Sequence, residues 1–237
     1  MQVLVLQHIA CEPPGVYEDV LDEHGATIHR VELDEGDPLP DWHAFDAIVA
    51  MGGPMGALDD DEHPWLTDEK RLIADAVRSG LPFWGVCLGV QLLAASLGAR
   101  VYPGPAPEVG VLPVLLTDEA LADPVFAGMP RELLSLQWHG DTFDLPDGAA
   151  RLAGSPAYPN QAFRVGADAY GVQFHLEVSP ALAREWADVP AYAESLERVL
   201  GEGALDRLIA ELEARADGLL SHGRQLFERW LGAAVRA

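Results

Sequence analysis

Two glycines bracket a single cysteine in Gly85-Val86-Cys87-Leu88-Gly89, and no other stretch restricts the chain's fold as much. The run follows the apolar Leu81-Pro82-Phe83-Trp84 and precedes the helix-forming Gln91-Leu92-Leu93-Ala94-Ala95. Glycine on both sides permits a cramped strand-to-helix turn that lifts the central side chain off the sheet and sets it at a helix N-terminus. The amides and dipole at that end favour thiolate over thiol, so the cysteine is expected to ionise readily and to act as a nucleophile. The competing assignment is a buried cysteine serving as a small hydrophobe. An ordinary connection, however, has no need of two glycines spaced around one cysteine.

A nucleophilic thiol requires a base, and among the eight histidines His175 has the most suitable context. It stands in Ala169-Tyr170-Gly171-Val172-Gln173-Phe174-His175-Leu176-Glu177, where a short apolar β-prone run gives way to polar residues. Alternation along a strand places His175 and Glu177 on one side of its end. The carboxylate can then take a proton from one imidazole nitrogen while the other faces Cys87, which is a triad arrangement. His-x-Glu alone is a weak signal; the upstream elbow gives it weight.

Four segments in order resemble the class I glutamine amidotransferases, whose glutaminase domain carries a Cys-His-Glu triad. Gly85 to Gln91 resembles the nucleophile segment and Gln173 to Glu177 the His-Glu segment. Met51-Gly52-Gly53-Pro54-Met55-Gly56 resembles the oxyanion loop, and Gln137-Trp138-His139-Gly140-Asp141 resembles the His-Gly-Asp loop of the GMP synthetase branch. Together they cover residues 1 to 180. Leu176 departs from the pattern, since the family usually has proline there, and changed stiffness without lost chemistry is expected.

The residues themselves agree with that resemblance. Asp46 to Met51 reads as a buried strand running into Gly52-Gly53-Pro54, a turn able to aim a backbone N–H at a carbonyl oxygen. Gly53 and Leu88 are the expected oxyanion donors. Cys87 would attack the glutamine side-chain amide, His175 would protonate departing ammonia, and water would hydrolyse the glutamyl thioester while Glu177 orients the imidazole. Gln91 follows Cys87 by one helical turn and shares its face; the resemblance makes it a glutamine-binding residue. By the same resemblance the backbone of Gly140 and Asp141 holds the amino-acid end of the substrate, while His139 is either a participant or a packing residue. Glu108-Val109-Gly110 also resembles a family element and is expected to shape the pocket wall.

Charge excludes several alternatives. Against 38 acidic residues there are 15 basic ones, for a formal net charge of −23, so a nucleic-acid backbone would be repelled. Asp59-Asp60-Asp61-Glu62-His63 reads as a solvated acidic face and not as a metal site. Zinc held by Cys87, His175 and Glu177 would leave the glycines and the oxyanion loop without purpose. No metal and no cofactor are expected. The N-terminal strand is too short for a signal peptide and no run is long enough to cross a membrane, so a cytoplasmic protein is expected, with Cys11 and Cys87 both reduced and Cys11 a bystander.

Strand-like runs at 3–6, 47–51, 82–86, 112–116, 134–138 and 170–174 alternate with helical patterns at 17–24, 68–79 and 90–97. This predicts an α/β fold with an open, mostly parallel, doubly wound sheet of flavodoxin-like type and helices on both faces. Gly53, Cys87 and His175 would converge at the carboxyl ends of its strands. Residues 1–180 are expected to form the amidotransferase domain, and 181–237 a C-terminal helical extension packed on it. Leu205, Leu208, Ile209 and Leu212, then Leu219, Leu220, Leu226, Phe227, Trp230 and Leu231, read as two helices belonging to the core, with a pocket cover or a homodimer interface as alternatives. No nucleotide loop of the G-x-x-x-x-G-K type accompanies the glutaminase motifs. The ammonia is therefore expected to serve a separate synthetase subunit. A stand-alone hydrolase of a γ-glutamyl amide or peptide is the second reading, and a non-catalytic regulator sensing oxidants through Cys87 the third.

Overall fold

The computed structural model describes residues 1–234. Its first half winds β1 (Gln2–Gln7), α1 (Val16–Glu23), β2 (Thr27–Glu32), β3 (Ala47–Ala50), α2 (Trp65–Arg78), β4 (Phe83–Val86) and α3 (Leu88–Ser96). Then come β5 (Val101–Leu116), α4 (Asp118–Ala122), β6 (Glu132–Phe143), β7 (Ala150–Gly154), β8 (Ala162–Val165) and β9 (Ala169–Val172). Three helices close the described chain: α5 (Pro180–Trp186), α6 (Pro190–Leu200) and α7 (Ala204–Ala234).

The strands form one sheet in the order β2-β1-β3-β4-β9-β8-β7-β5-β6. From β2 to β9 neighbours run parallel; from β9 to β6 they run antiparallel. The parallel half is doubly wound because its central strands β1, β3 and β4 are apolar on both faces. Val3, Val5, Val49, Trp84 and Val86 pack with α1 and α7, whereas Leu4, Leu6, Ile48, Ala50 and Phe83 pack with α2 and α3. Each such side chain contributes about 1.5–3 kcal/mol when fully buried.

Three strands escape the apolar pattern. β2 is an edge strand whose Thr27, His29 and Arg30 are exposed. β7 and β8 are only 5 and 4 residues long. The strand-like run at 112–116 is the end of the longer β5, which takes up prolines at 103, 105 and 107 through a shift of register between Pro103 and Glu108.

The C-terminal segment also differs from expectation: a single 31-residue helix, α7, replaces the two expected from Leu205 to Leu231. Gly223 within it is not a break. A Cβ there would lie 2.4 Å from the carbonyl oxygen of Leu176, so glycine lets the helix touch the chain between His175 and Glu177. One face of α7 enters the core, with Phe227 stacked on Tyr17 at 4.6 Å and Trp230 packed on Trp84 at 5.7 Å. No helix among the described residues is long and apolar enough to cross a membrane.

Candidate active site

Cys87 lies between β4 and α3 with φ 53° and ψ −105°, the sole non-glycine residue at positive φ among those described. Such a conformation costs on the order of 1–3 kcal/mol and persists only where the surroundings impose it. Here the Cys87 N–H donates to Val172 O at 2.9 Å and the Gly89 N–H to Met51 O at 3.1 Å, tying the turn to the ends of β9 and β3. The flanking glycines act by close approach, since neither carries the positive φ. A Cβ on Gly89 would stand 2.2 Å from Ala50 O, and one on Gly85 2.7 Å from the Gly89 carbonyl.

His175 is not on a strand, as the sequence implied: β9 stops at Val172. Past that point the chain leaves β8 and forms an isolated bridge, in which His175 N and O exchange hydrogen bonds with Leu136 at 2.8 and 3.0 Å. The expected pairing with Glu177 nevertheless forms, with His175 Nδ1 2.6 Å from Glu177 Oε1. The second carboxylate oxygen accepts from Leu176 N–H at 2.9 Å, a bond that proline could not make. The imidazole packs edge-on against Trp186 at 4.8 Å and interacts electrostatically with the neighbouring Cys87 thiol. All three residues are buried, at 6, 2 and 2% exposure for Cys87, His175 and Glu177.

Burial revises the expectation of a ready thiolate. It pushes the Cys87 thiol up, while the neighbouring His175 pulls it back. Burial alone would lower His175; the Glu177 carboxylate, aided by Cys87, overcomes this and raises it well above the usual imidazole value. The thiol and the imidazole are thereby coupled, so Cys87 ionises as one member of a pair with His175 and not as an isolated thiolate at a helix end.

A cavity of about 220 Å³ opens beside Cys87, lined by Gly53, Leu88, Gln91, His139, Gly140 and Asp141 among others. That is slightly below the roughly 300–1,000 Å³ of typical ligand sites and suits something the size of an amino acid. Among the described residues no protein acceptor takes the backbone N–H of Gly53 or Leu88. Gln91 donates to Gln173 Oε1 at 3.0 Å. The His-Gly-Asp segment is part of β6 and not a loop. There Gly140 O accepts from Tyr158 OH at 3.1 Å and Asp141 O from His139 Nδ1 at 3.0 Å; burial raises the Asp141 carboxyl. Val109 lines the cavity, whereas Glu108 stands behind it, accepting from Ser155 and Gln161 at 2.9 and 2.7 Å.

Cys11 is apart from the cavity lining, and burial with Glu12 nearby pushes its thiol up to about 11. In the acidic run, Asp59 accepts from Gly56 N–H and Asp60 from Lys70, at 2.6 Å each, so two of its carboxylates brace the loop after β3. Among the described residues, no group of three or more His, Cys, Asp or Glu is placed to hold a metal ion.

Sequence reasoning missed the contribution of α6. Ala191, Tyr192, Ser195 and Arg198, at helical spacing, form one wall of the cavity. Their periodicity was readable, but their destination was not. Tyr192 donates to the carboxylate of Glu12, which is 3% exposed and raised by its burial. Trp138 of β6 also lines the cavity and donates to Ser195 Oγ at 2.8 Å.

The family model for glutamine amidotransferase class-I matches residues 18–185. A glutamine amidotransferase-like protein of Salmonella typhimurium is 34% identical over 181 residues, covering 75% of this chain and 76% of its own. The GMP synthase of Thermomicrobium roseum is 37% identical over 146 residues, 59% of this chain but 25% of that enzyme, so the chain spans only about a quarter of it. A glutamine amidotransferase crystal structure from Thermotoga maritima superposes with a TM-score of 0.87 at 34% identity, covering 97% of both chains. One from Methylobacillus flagellatus gives 0.87 at 30% identity, covering 98% of this chain and 94% of that one.

Proposed function

The chain belongs to the class-I glutamine amidotransferases, and we propose that it hydrolyses the side-chain amide of glutamine through a thioester on Cys87. The observation that carries this reading is the buried set in which Cys87 lines the cavity, His175 neighbours its thiol and Glu177 hydrogen-bonds His175 Nδ1 at 2.6 Å. His175 Nδ1 is held by Glu177, which leaves Nε2 for the thiol. As sulfur attacks the amide carbon, the thiol proton passes to Nε2 and negative charge develops on the carbonyl oxygen. The Gly53 and Leu88 amides receive that charge. Collapse of the intermediate breaks the C–N bond, and the imidazolium returns its proton to the leaving nitrogen, releasing ammonia. Water then attacks the thioester with His175 as base, giving glutamate and the free thiol. Gln91, Gly140 and Asp141 hold the amino-acid end.

The ammonia is used by a synthetase on another chain, a reading supported by the similarity to the glutamine-hydrolysing part of GMP synthases. A self-sufficient hydrolase of γ-glutamyl amides is favoured by one observation: this chain's own α6 supplies a wall of the cavity. A reducing cytoplasm suits the two free thiols.

Purified protein incubated with glutamine should release equimolar glutamate and ammonia, and Cys87→Ala should abolish both. Equal release by wild type and variant would sink the assignment. A panel of γ-glutamyl amides assayed without any partner separates the two readings, since only the self-sufficient enzyme turns over one of them faster than glutamine.

A further inference from the structure

His8 lies just past β1, outside the segment matched by the family model, and is completely buried. Its Nδ1 is 3.1 Å from Gly52 O and its Nε2 2.9 Å from Oε1 of Glu69 on α2, also completely buried. The ring stacks on Trp65 at 5.7 Å. A carbonyl oxygen only accepts, so Nδ1 must carry hydrogen. Glu69 supports that state. With Nδ1–H given to Gly52 O, Nε2 either donates to the Glu69 carboxylate as part of an imidazolium or accepts from the acid, whereas the neutral Nε2–H tautomer would set a bare Nδ1 lone pair against the Gly52 oxygen. Burial opposes the charged ring, yet Glu69, with help from Gly52 O and Glu12, raises the His8 imidazole above its ordinary value.

The consequence is geometric. In a planar trans peptide the C=O and the following N–H point in opposite directions. His8 is not part of the cavity lining, whereas Gly53 is. Holding the Gly52 oxygen toward His8 therefore turns the Gly53 N–H toward the cavity. We propose that His8, locked by Glu69 in its Nδ1–H form, is a positioning residue that aims the Gly53 amide at the developing oxyanion. This rests on the reading of Cys87 as the nucleophile of glutamine hydrolysis. A rotated Gly52–Gly53 peptide would present a carbonyl oxygen to the anion and repel it.

The test compares His8→Leu/Glu69→Leu, which removes the pair without leaving an orphaned buried charge, with His8→Asn/Glu69→Leu, which restores an N–H near the position of Nδ1. Losing an oxyanion donor costs about 10²–10³ in kcat, so a mis-aimed one should cost the double-leucine variant about 10–100-fold. KM for glutamine should stay within about twofold, and alkylation of Cys87 by iodoacetamide, which needs no oxyanion donor, should keep its wild-type rate. The asparagine variant should recover at least about fivefold of the lost kcat. The proposal is overturned if the leucine pair keeps full kcat, if kcat and alkylation fall together, or if asparagine recovers nothing. Should the leucine pair fail to fold, Glu69→Gln decides: its amide accepts as readily as it donates, the tautomer is released, and kcat should drop about two- to tenfold at constant KM; unchanged kcat refutes the lock. Cys87→Ala run in parallel separates the outcomes, because ammonia release surviving that change removes the hydrolytic reading itself.

Discussion

Replacing Leu176 by proline would remove one specific bond from the candidate active site. The Leu176 N–H donates to Glu177 Oε2 at 2.9 Å, while Oε1 faces His175 Nδ1 at 2.6 Å. Proline leaves half of a carboxylate that is 2% exposed without a donor. A hydrogen bond to a charged group contributes about 1.5–3 kcal/mol, and proline returns about 0.4–1 kcal/mol by restricting the unfolded chain. The net loss is about 0.5–2.6 kcal/mol before packing. The backbone tolerates the change, since His175 already lies in a β-bridge, the conformation a residue before proline prefers. Packing is controlled by Leu176→Ala, which keeps the N–H but loses more of a side chain that is itself 2% exposed, at about 2–5 kcal/mol. With about 2–4 °C per kcal/mol for a chain of this size, Leu176→Pro should lower Tm by about 1–10 °C through the lost bond alone. Glutamine hydrolysis should weaken with it, because the Glu177 carboxylate loses the second of its two hydrogen bonds and keeps the one to His175. Thermal unfolding and steady-state kinetics on both variants supply the measurement. A proline variant with wild-type Tm and wild-type kcat would refute the role given to this bond.

Gly89→Ala places a Cβ 2.2 Å from the Ala50 carbonyl oxygen, a backbone atom that cannot swing aside. Overpacking of about 1–3 kcal/mol should lower Tm, and α3 should retreat from β3 with the Leu88 amide, so that kcat falls while cysteine labelling persists. Stability should decline as pH rises, because Glu12 is raised above 4.5 and His8 and His175 above 6.5. Each holds its proton more tightly folded than unfolded, so its contribution is complete below the unfolded value and is lost as pH climbs through the folded one. Glu12→Gln keeps an acceptor for Tyr192 and should flatten the part of the decline that begins near pH 4.5; urea midpoints that fall equally in both proteins would contradict this. Arg198 lines the cavity and is exposed. Its replacement by alanine should raise KM for glutamine about two- to fivefold at unchanged kcat, as for an exposed ion pair to the substrate carboxylate.

Sequence and structure divide the molecule along a physical line. Cys87, with its two glycines, was legible because the strand-to-helix turn is local: a few consecutive residues set its sterics. The parallel half of the sheet was legible because burial on both faces demands continuous apolar runs, as in Asp46 to Met51. β2 was hidden by the polarity of an edge, and β7 and β8 by the arginines and half-exposed positions that leave them no continuous apolar run. His175 and Glu177 were found for a reason only partly correct, since a bridge to Leu136 and the Leu176 amide, not strand alternation, hold them together.

The remaining partners lay beyond any local pattern. Glu12 meets Tyr192 across 180 positions, His8 meets Glu69 across 61, and Gly223 touches the carbonyl of Leu176 from the far end of the chain. The sequence by itself determined which side chain is poised at the elbow and which class of sheet presents it. Only the tertiary structure decided how that side chain ionises, which helix walls its cavity and what turns the Gly52–Gly53 peptide. Elbow sterics act between neighbours in the chain, whereas desolvation and buried hydrogen bonds exist only after distant segments have excluded water from between them.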